Sequence, residues 1–180
     1  MTPEDHLALL AGAVAAGPAT WADLGSGTGS FTIALAEHLG GRGKIISVDR
    51  DWRALGEQER ALRSRFPHLD LQVITADFTT LTDMSGLDGV LMANSLHFQR
   101  DAAGFLGRVK TWLDPGGILI VVEYDIELPN PWVPHPMPWR RFAALAQSGE
   151  WSGVRLLDSR PSRYHRRVYS AAATPGKSPA

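Results

Sequence analysis

A glycine-rich run next to an acidic residue is the first feature of the sequence that could do chemistry. The run reads Asp23-Leu24-Gly25-Ser26-Gly27-Thr28-Gly29, and residues 25–29 are called the glycine loop below. Glycines adopt positive φ easily, and they let a ligand approach the backbone without meeting a Cβ. A helix that follows such a loop offers free N–H groups at its start. The run therefore indicates either a ligand-binding loop or a plain tight turn.

A second carboxylate, Asp49, directly follows an apolar segment, residues 44–48, that is typical of a buried strand. In dinucleotide-binding folds, an acid at the end of the second strand accepts hydrogen bonds from the hydroxyls of an adenosine ribose. Alternatively, Asp49 caps a helix that begins near Asp51, because aspartate favours that position. The two roles are compatible with each other, so both stay open at the level of sequence.

Alternating strands and helices are predicted to position these residues. Strand-like segments cover residues 20–24, 44–48, 70–76, 87–93 and 118–123. Helix-like segments cover residues 3–16, 30–39, 51–65, 101–113 and 139–147. Residues 154–159 and 166–172 read as two strands of an antiparallel hairpin. The alternation predicts a single α/β domain with a doubly wound, mostly parallel, Rossmann-like sheet and a C-terminal antiparallel hairpin.

The domain is predicted to span residues 1–173, with a disordered tail at residues 174–180. The segment at residues 118–123 is the most apolar strand, and it is predicted to lie at the centre of the sheet. Five prolines between Pro129 and Pro138 exclude a helix or an inner strand there.

Composition limits the classes of function. The chain has 180 residues, 44% hydrophobic and 21% charged, and its formal net charge is −1, so an extensive surface for nucleic acid is not expected. It contains no cysteine, which excludes disulfides and favours a reduced compartment. No apolar run approaches the roughly 20 residues that span a bilayer, and the start lacks the basic residues of a signal peptide. These features predict a soluble, cytoplasmic protein without a membrane partner.

The motifs, in their order along the chain, resemble those of the class I S-adenosylmethionine-dependent methyltransferases. The run at residues 23–29 looks like the first motif of that family, and Asp49 matches its ribose-binding acid. Ala76-Asp77-Phe78 resembles its adenine-contacting segment, and Leu113-Asp114-Pro115-Gly116-Gly117 resembles its later Pro-Gly-Gly signature. The predicted hairpin matches its added antiparallel strand. The resemblance covers roughly residues 21–173 and implies S-adenosylmethionine as the cofactor.

The resemblance also implies which residues bind this cofactor. They are Asp23, Gly25, Ser26, Gly27, Gly29, Asp49, Asp77, Phe78 and Asn94. The glycine loop would lie beneath the methionine part of the cofactor, and Asp23 would engage its amino group directly or through water. Asp49 would hold the ribose hydroxyls.

At the adenine end, the resemblance implies that Asp77 accepts a hydrogen bond from the adenine amino group. Phe78 or Trp52 would pack on the adenine ring, although Trp52 could equally anchor the core. Asn94 follows the fourth predicted strand, where the family places backbone against the methionine moiety.

Several related chemistries fit the sequence less well. A nicotinamide-dependent oxidoreductase expects a third glycine where Ser30 stands. Carbon-5 pyrimidine methylation uses a cysteine nucleophile, which the chain lacks. The segment Asn94-Ser95-Leu96-His97 is not the Asp/Asn-Pro-Pro-aromatic signature that adenine-amino methyltransferases share. Asn94 and Asp101 alone do not form an oxygen cluster for a metal ion, so no metal is expected.

Candidate residues for the acceptor side lie in the segments after the fourth and fifth strands. His97 is the candidate general base, because it follows a strand end and imidazole titrates near neutral pH; the alternative is a histidine that packs the loop. Tyr124, Trp132 and His135 are candidates for the acceptor pocket, since the proline-rich segment at residues 129–138 should arch over the same edge of the sheet. Alternatively, the tryptophan plugs the edge of the core.

The sequence thus predicts an enzyme that methylates an oxygen or nitrogen atom of a small molecule. A non-catalytic cofactor-binding or scaffold domain stays open, as does an RNA- or protein-modifying enzyme that uses a cluster of arginines. That cluster comprises Arg140, Arg141, Arg160, Arg163, Arg166 and Arg167. A second subunit, as in a homodimer, could cover the acceptor site.

Overall fold

The computed structural model describes residues 1–162, 164 and 167–176. Its strands are β1 (Thr20–Leu24), β2 (Lys44–Asp49), β3 (Asp70–Thr75), β4 (Leu87–Ala93), β5 (Leu113–Tyr124), β6 (Trp151–Pro161) and β7 (Arg167–Pro175). Its α-helices are α1 (Pro3–Leu10), α2 (Ser30–His38), α3 (Trp52–Arg65), α4 (Ala102–Trp112) and α5 (Trp139–Ser148). A short 3₁₀ turn, Phe78–Thr80, follows β3, and a second one, Leu96–Phe98, lies between β4 and α4.

All seven strands form one sheet in the order β3-β2-β1-β4-β5-β7-β6. β1 pairs in parallel with both β2 and β4. The chain therefore adds β2 and β3 on one side of β1 and then crosses to add β4 and β5 on the other side. β7 runs antiparallel between β5 and β6. This arrangement confirms the predicted α/β fold with a C-terminal antiparallel hairpin. In open parallel sheets, ligands bind at the carboxyl ends of the strands where the order reverses, which places the expected site beyond β1.

The sheet is covered on both faces, because the side chains of each strand alternate between two apolar layers. On β1, Ala22 and Leu24 face the layer that contains helices α4 and α5, whereas Trp21 faces the layer that contains α1 and α2. On β5, Val121 and Val122 divide in the same way. Both layers are fully buried at these positions, so the strands can be almost continuously apolar.

Polar caps fix where the helices begin. Thr2 and Asp5 form a reciprocal capping box at the start of α1, with Pro3 in the first helical position. Asp51 caps α3 by accepting from the N–H groups of Arg53 and Ala54. In the part of the chain that the structure describes, no helix is long and apolar enough to cross a membrane.

Two predicted boundaries, at the first helix and the fifth strand, were wrong, and so was one predicted position in the sheet. The first helix ends at Leu10 rather than at residue 16, because Gly12 adopts a left-handed φ of +76° that the helix cannot continue through. β5 begins at Leu113, and a register shift against β4 absorbs the Pro-Gly-Gly segment as an irregularity within the strand. β5 is an inner strand, but the middle position of the sheet belongs to β4.

The hairpin strands are longer than predicted. β7 continues to Pro175, and Thr174 and Pro175 pair with Ser152 and Trp151 of β6. The predicted disordered tail is therefore wrong for these two residues. Residues 177–180 of that predicted tail lie outside the described residues.

Candidate active site

The glycine loop leaves β1 and turns sharply onto the end of β2. Gly25, Gly27 and Gly29 all have positive φ, at +79°, +54° and +88°. The N–H groups of Gly25 and Ser26 both donate to the carbonyl of Val48, at 2.8 and 3.1 Å. A Cβ on Gly25 would lie 2.6 Å from the Cβ of Ser95, so the close approach of the segment after β4 requires glycine there.

Asp49 joins the glycine loop to the start of α3. Its Oδ2 accepts from the N–H of Gly27 at 2.9 Å, and its Oδ1 accepts from the N–H of Asp51 at 2.8 Å. The N-cap of α3 is Asp51, so Asp49 is not the capping residue. The two features that the sequence predicted to act together, a glycine turn and a downstream carboxylate, are thus in direct contact.

A chain of buried polar side chains lies behind the loop. Thr32 donates to Oδ2 of Asp23 at 2.6 Å, the amide nitrogen of Gln58 donates to Thr32 at 2.9 Å, and Ser47 donates to the amide oxygen of Gln58 at 2.5 Å. Asp23, Thr32, Ser47 and Gln58 are all fully or almost fully buried. The chain fixes the Gln58 amide in one orientation, since its nitrogen donates and its oxygen accepts.

Asp23 is the unusual member of this chain. Its Oδ1 is buried and has no hydrogen-bond partner among the described residues. Burial, together with the nearby charge of Asp49, raises the pKa of its carboxyl to about 7, and the Thr32 hydrogen bond opposes this rise. A buried acceptor atom without a partner is costly for the protein alone, and it is suited to a cationic or hydrogen-bond-donating ligand group.

Two adjoining cavities open at this edge of the sheet. The first has a volume of about 400 Å³ and is lined by Gly25, Asp49, Arg50, Ala76, Asp77, Phe78, Thr79, Asn94, Ser95, Phe98 and Gln99. Asp77 begins the 3₁₀ turn after β3 and accepts from the N–H of Thr79, whose hydrogen bonds lower the pKa of the Asp77 carboxyl. Phe78 is buried beneath the cavity and packs edge-on against Phe105.

The second cavity has a volume of about 360 Å³. It is lined by Met1, His6, Asp23, Gly25, Ser26, Gly27, Thr28, Ser30, Phe31, Ala93, Asn94, Tyr124, Ser162, Tyr164 and Val168. Gly25 and Asn94 line both cavities. Asn94 has a φ of +53°, rare outside glycine, and its side-chain oxygen is buried without a partner in the described structure. Strained backbone of this kind clusters at binding sites.

The predicted base, His97, is held inside the protein. Its Nδ1 lies 2.6 Å from Oε2 of Glu123, and its backbone N–H donates to Oε1 of the same carboxylate at 3.0 Å. The His97 and Glu123 side chains are 3% and 0% exposed. Two aromatic neighbours of the imidazole line the cavities: Phe98 lines the first, and Tyr124 lines the second. His97 itself lines neither cavity.

The remaining predicted residues fall into two groups. Tyr124 lines the second cavity, and burial together with the Glu123 charge raises the pKa of its phenol. Trp132 and His135 line neither cavity: Trp132 is 70% exposed, and the backbone N–H of His135 donates to the carbonyl of His97. Trp52 is 66% exposed, so it does not anchor the core, and it lines neither cavity.

Sequence reasoning missed residues of both cavities and of the buried polar chain. The missed residues include His6, Phe31, Thr32, Ser47, Arg50, Gln58, Phe98, Gln99, Ser162 and Tyr164. The available signals were weak. Gln58 is a lone uncharged polar residue on the buried side of a charged helix, and His6 lies on the first helix, one turn before its apolar end.

The sheet order, the glycine loop and the two adjoining cavities define the class I methyltransferase fold. A family model described as a methyltransferase domain matches residues 19–154, which is well over half of the chain. The chain therefore belongs to the methyltransferase-domain family. This membership confirms the methyltransferase domain that its motifs predicted.

Individual relatives are similar to parts or all of the chain. A probable cobalt-precorrin-6B C(15)-methyltransferase (decarboxylating) from Thermoplasma volcanium is 30% identical over 108 residues, which are 60% of this chain and 52% of that protein. The chain thus spans about half the length of the curated relative it matches.

Solved structures share the fold at lower identity. The YcgJ protein of Bacillus subtilis has a TM-score of 0.73 at 11% identity, covering 97% of this chain and 100% of that chain. A methyltransferase from Aquifex aeolicus has a TM-score of 0.66 at 16% identity, covering 95% and 88%. The 1,6-didemethyltoxoflavin-N1-methyltransferase of Burkholderia thailandensis, solved with 1,6-didemethyltoxoflavin and S-adenosylhomocysteine, has a TM-score of 0.70 at 19% identity, covering 96% and 78%.

The residues at the site fit the cofactor of this family. The unpartnered oxygens of Asp23 and Asn94 are acceptors suited to its ammonium group, and the open space at Gly27, where a Cβ would meet nothing within 4 Å, leaves room for its methionine part. Together the two cavities have a volume suited to a ligand of this size.

Proposed function

We propose that this chain transfers the methyl group of S-adenosylmethionine to an oxygen or nitrogen atom of a small molecule. In this proposal Asp49 holds the ribose hydroxyls, Asp77 and Phe78 receive the adenine, and the glycine loop with Ser26 carries the methionine part. Asp23 and Asn94 bind the amino-acid end. The observation that carries the proposal is the contact of Asp49, which lines the first cavity, with Gly27, which lines the second.

The cofactor supplies an electrophilic methyl group on a sulfonium, so the protein needs chiefly to hold the acceptor in line with it. A base is required only when the acceptor must lose a proton. His97 stays a prediction for that base. The Glu123 carboxylate would keep the proton on Nδ1 and leave the lone pair on Nε2, but His97 has no surface in either cavity in this structure.

A carbon acceptor is the second candidate, because the curated relative from Thermoplasma volcanium is described as a C(15)-methyltransferase. The RNA- or protein-modifying alternative finds less support. In the described part of the arginine cluster, Arg160 pairs with Asp158, Arg167 donates to Ser159, and Arg141 donates to the Pro136 carbonyl. Arg163 and Arg166 lie outside the described residues.

The cofactor assignment is tested by calorimetry of S-adenosylhomocysteine binding to wild type and to Asp49→Ala. We expect affinity to fall by at least about tenfold, since the variant loses a charge-assisted partner of the ribose and the support of the Gly27 N–H. Asp83→Ala is the matched control, because Asp83 is exposed and lines neither cavity. Unchanged affinity of Asp49→Ala would show that Asp49 does not bind the ribose.

The transfer itself is tested with methyl-labelled cofactor and fractionated small-molecule extracts. Label in a small-molecule product supports the proposal, and the site of methylation, read by NMR, decides between oxygen, nitrogen and carbon. Tight cofactor binding without product in any fraction would favour the scaffold alternative. Label that moves only into RNA or protein would favour the macromolecular one.

A further inference from the structure

The second cavity is lined by a histidine that the sequence analysis did not single out. His6 lies on α1 and lines the cavity together with Asp23, the glycine loop and Tyr124. Its ring packs against Phe31 of α2, with 4.6 Å between ring centroids, and the residue is only half-buried. Neither ring nitrogen of His6 has a hydrogen-bond partner among the described residues, so both are available to a ligand.

His6 and His97 differ in the properties that a proton acceptor needs. His97 is 2% exposed, its Nδ1 is engaged by Glu123, and it lines neither cavity. His6 borders the same cavity as the glycine loop and Asn94, where the proposed function places the methionine part of the cofactor and with it the methyl group. A general base must reach the proton that it removes, and the cavity gives His6 that access.

The rest of the lining indicates what kind of acceptor fits. Beyond the glycine loop and Asp23, the apolar and aromatic part of the cavity wall comprises Phe31, Ala93, Tyr124, Tyr164, Val168 and Met1 with His6, and Ser30, Asn94 and Ser162 add polar groups. Among the described lining side chains, Asp23 is the sole carboxylate, there is no lysine or arginine, and the proposed function already uses Asp23 for the cofactor. A wall with several aromatic rings and no charged side chain besides Asp23 suits a neutral, planar molecule.

The electrostatic surroundings favour the uncharged imidazole. The charged and titratable groups around His6 are the N-terminal ammonium and Asp5 on its own segment, Arg160 acting on Asp5 from β6, Asp23 of β1, and the phenols of Tyr124 and Tyr164. Burial lowers the pKa of His6, the N-terminal charge lowers it further, and Asp5 opposes both. His6 is therefore ready to take up a proton at neutral pH.

We propose that His6 is the general base for a neutral aromatic acceptor that binds between Tyr124 and Phe31 in the second cavity. This proposal rests on the proposed function. The proton leaves the O–H or N–H group of the acceptor for a ring nitrogen of His6, and the electron pair stays on the acceptor atom. That atom then forms its bond to the methyl carbon as the carbon–sulfur bond breaks, and the imidazolium returns its proton to water.

The test uses 4-nitrophenol as a probe of the protein loaded with S-adenosylhomocysteine. Its phenolate absorbs at longer wavelength than the phenol, so binding and ionisation are read together without turnover. We expect wild type to bind the probe and to raise its ionised fraction at slightly acidic pH. His6→Gln should reduce the ionisation of the bound probe by about tenfold, the effect of about one pKa unit.

His68→Gln is the matched control, because His68 is exposed and lines neither cavity. His6→Asn is a second variant, and thermal melts of both His6 variants check that they are folded. The proposal is overturned if the loaded wild type does not bind the probe, or if folded His6→Gln ionises it as wild type does. It is also overturned if His97→Gln abolishes the ionisation and His6→Gln does not. Failure to bind S-adenosylhomocysteine at all would instead remove the proposed function, and this proposal with it.

Discussion

At the scale of single residues, Asp23 combines full burial with an oxygen that no described residue satisfies. Burial disfavours its charged form, and the nearby Asp49 adds repulsion, so the carboxyl is half-protonated near neutral pH in the protein alone. A cationic group placed against Oδ1 would reverse this balance. If Asp23 binds the cofactor as proposed, cofactor binding is coupled to the protonation of this carboxyl.

We predict that cofactor binding releases protons from Asp23. At pH 6 the free protein holds this proton, and the cofactor ammonium should displace about one proton per molecule bound. Calorimetry in buffers with different ionisation enthalpies measures the number released. Asp23→Asn should bind more weakly and release none. An equal release by Asp23→Asn would show that the proton comes from another group.

The same carboxyl should make the stability of the free protein depend on pH. Its folded-state pKa of about 7 lies above its ordinary value of 3.8, so the folded state binds more protons than the unfolded state between these values. Stability from this group is complete below about pH 4 and is lost as the pH rises to about 7, by an amount on the order of 4 kcal/mol. In urea unfolding, the free energy of unfolding of Asp23→Asn should therefore rise relative to that of wild type as the pH increases over this range. Parallel pH profiles of the two proteins would contradict it.

At the scale of elements, the glycine loop is held between the segment after β4 and helix α3. A Cβ on Gly29 would lie 2.3 Å from Cγ of Gln58, whereas a Cβ on Gly27 would meet nothing within 4 Å. Both residues have positive φ, so both positions strain an alanine, but only Gly29 also packs against a buried side chain. The loop is thus positioned by packing against α3 as well as by its own flexibility.

We predict that Gly29→Ala costs more stability than Gly27→Ala. The strain of positive φ should cost each variant about 1 kcal/mol, and the clash with Gln58 should add about 1–3 kcal/mol to Gly29→Ala alone. Denaturant unfolding measures both values. In a Gln58→Ala background the extra cost of Gly29→Ala should shrink, and an unchanged difference between the two backgrounds would show that the contact does not matter.

At the scale of the whole molecule, the candidate site is assembled from segments far apart in the chain. The first cavity is lined by residues at or beyond the ends of β1, β2, β3 and β4. The lining of the second cavity also includes residues of α1, α2, β5 and the C-terminal hairpin. A ligand that bridges these segments binds only the folded chain. Its binding free energy therefore adds to the stability of the whole domain.

We predict that S-adenosylhomocysteine raises the melting temperature. At a concentration of 100 times Kd the stabilisation should be about 2.7 kcal/mol, a shift of roughly 5–10 °C for a domain of this size. Scanning calorimetry measures the shift, and it should fall in Asp49→Ala and persist in Asp83→Ala. A shift of equal size in all three proteins would show that the ligand binds elsewhere.

The sequence alone determined the order of strands and helices, the glycine turn and the acids at or just beyond the carboxyl ends of β1, β2 and β3, because these depend on local backbone preferences and on periodic burial. The tertiary structure alone decided that Asp49 supports Gly27, that Gln58 and Thr32 lie behind Asp23, and that the predicted base His97 is enclosed with Glu123. It also decided that His6 faces the second cavity while Trp132 and His135 do not. Most of these contacts join residues more than 20 positions apart, and the second cavity joins residues more than 100 positions apart. Strand register and helix packing create them, and neither leaves a local pattern in the chain.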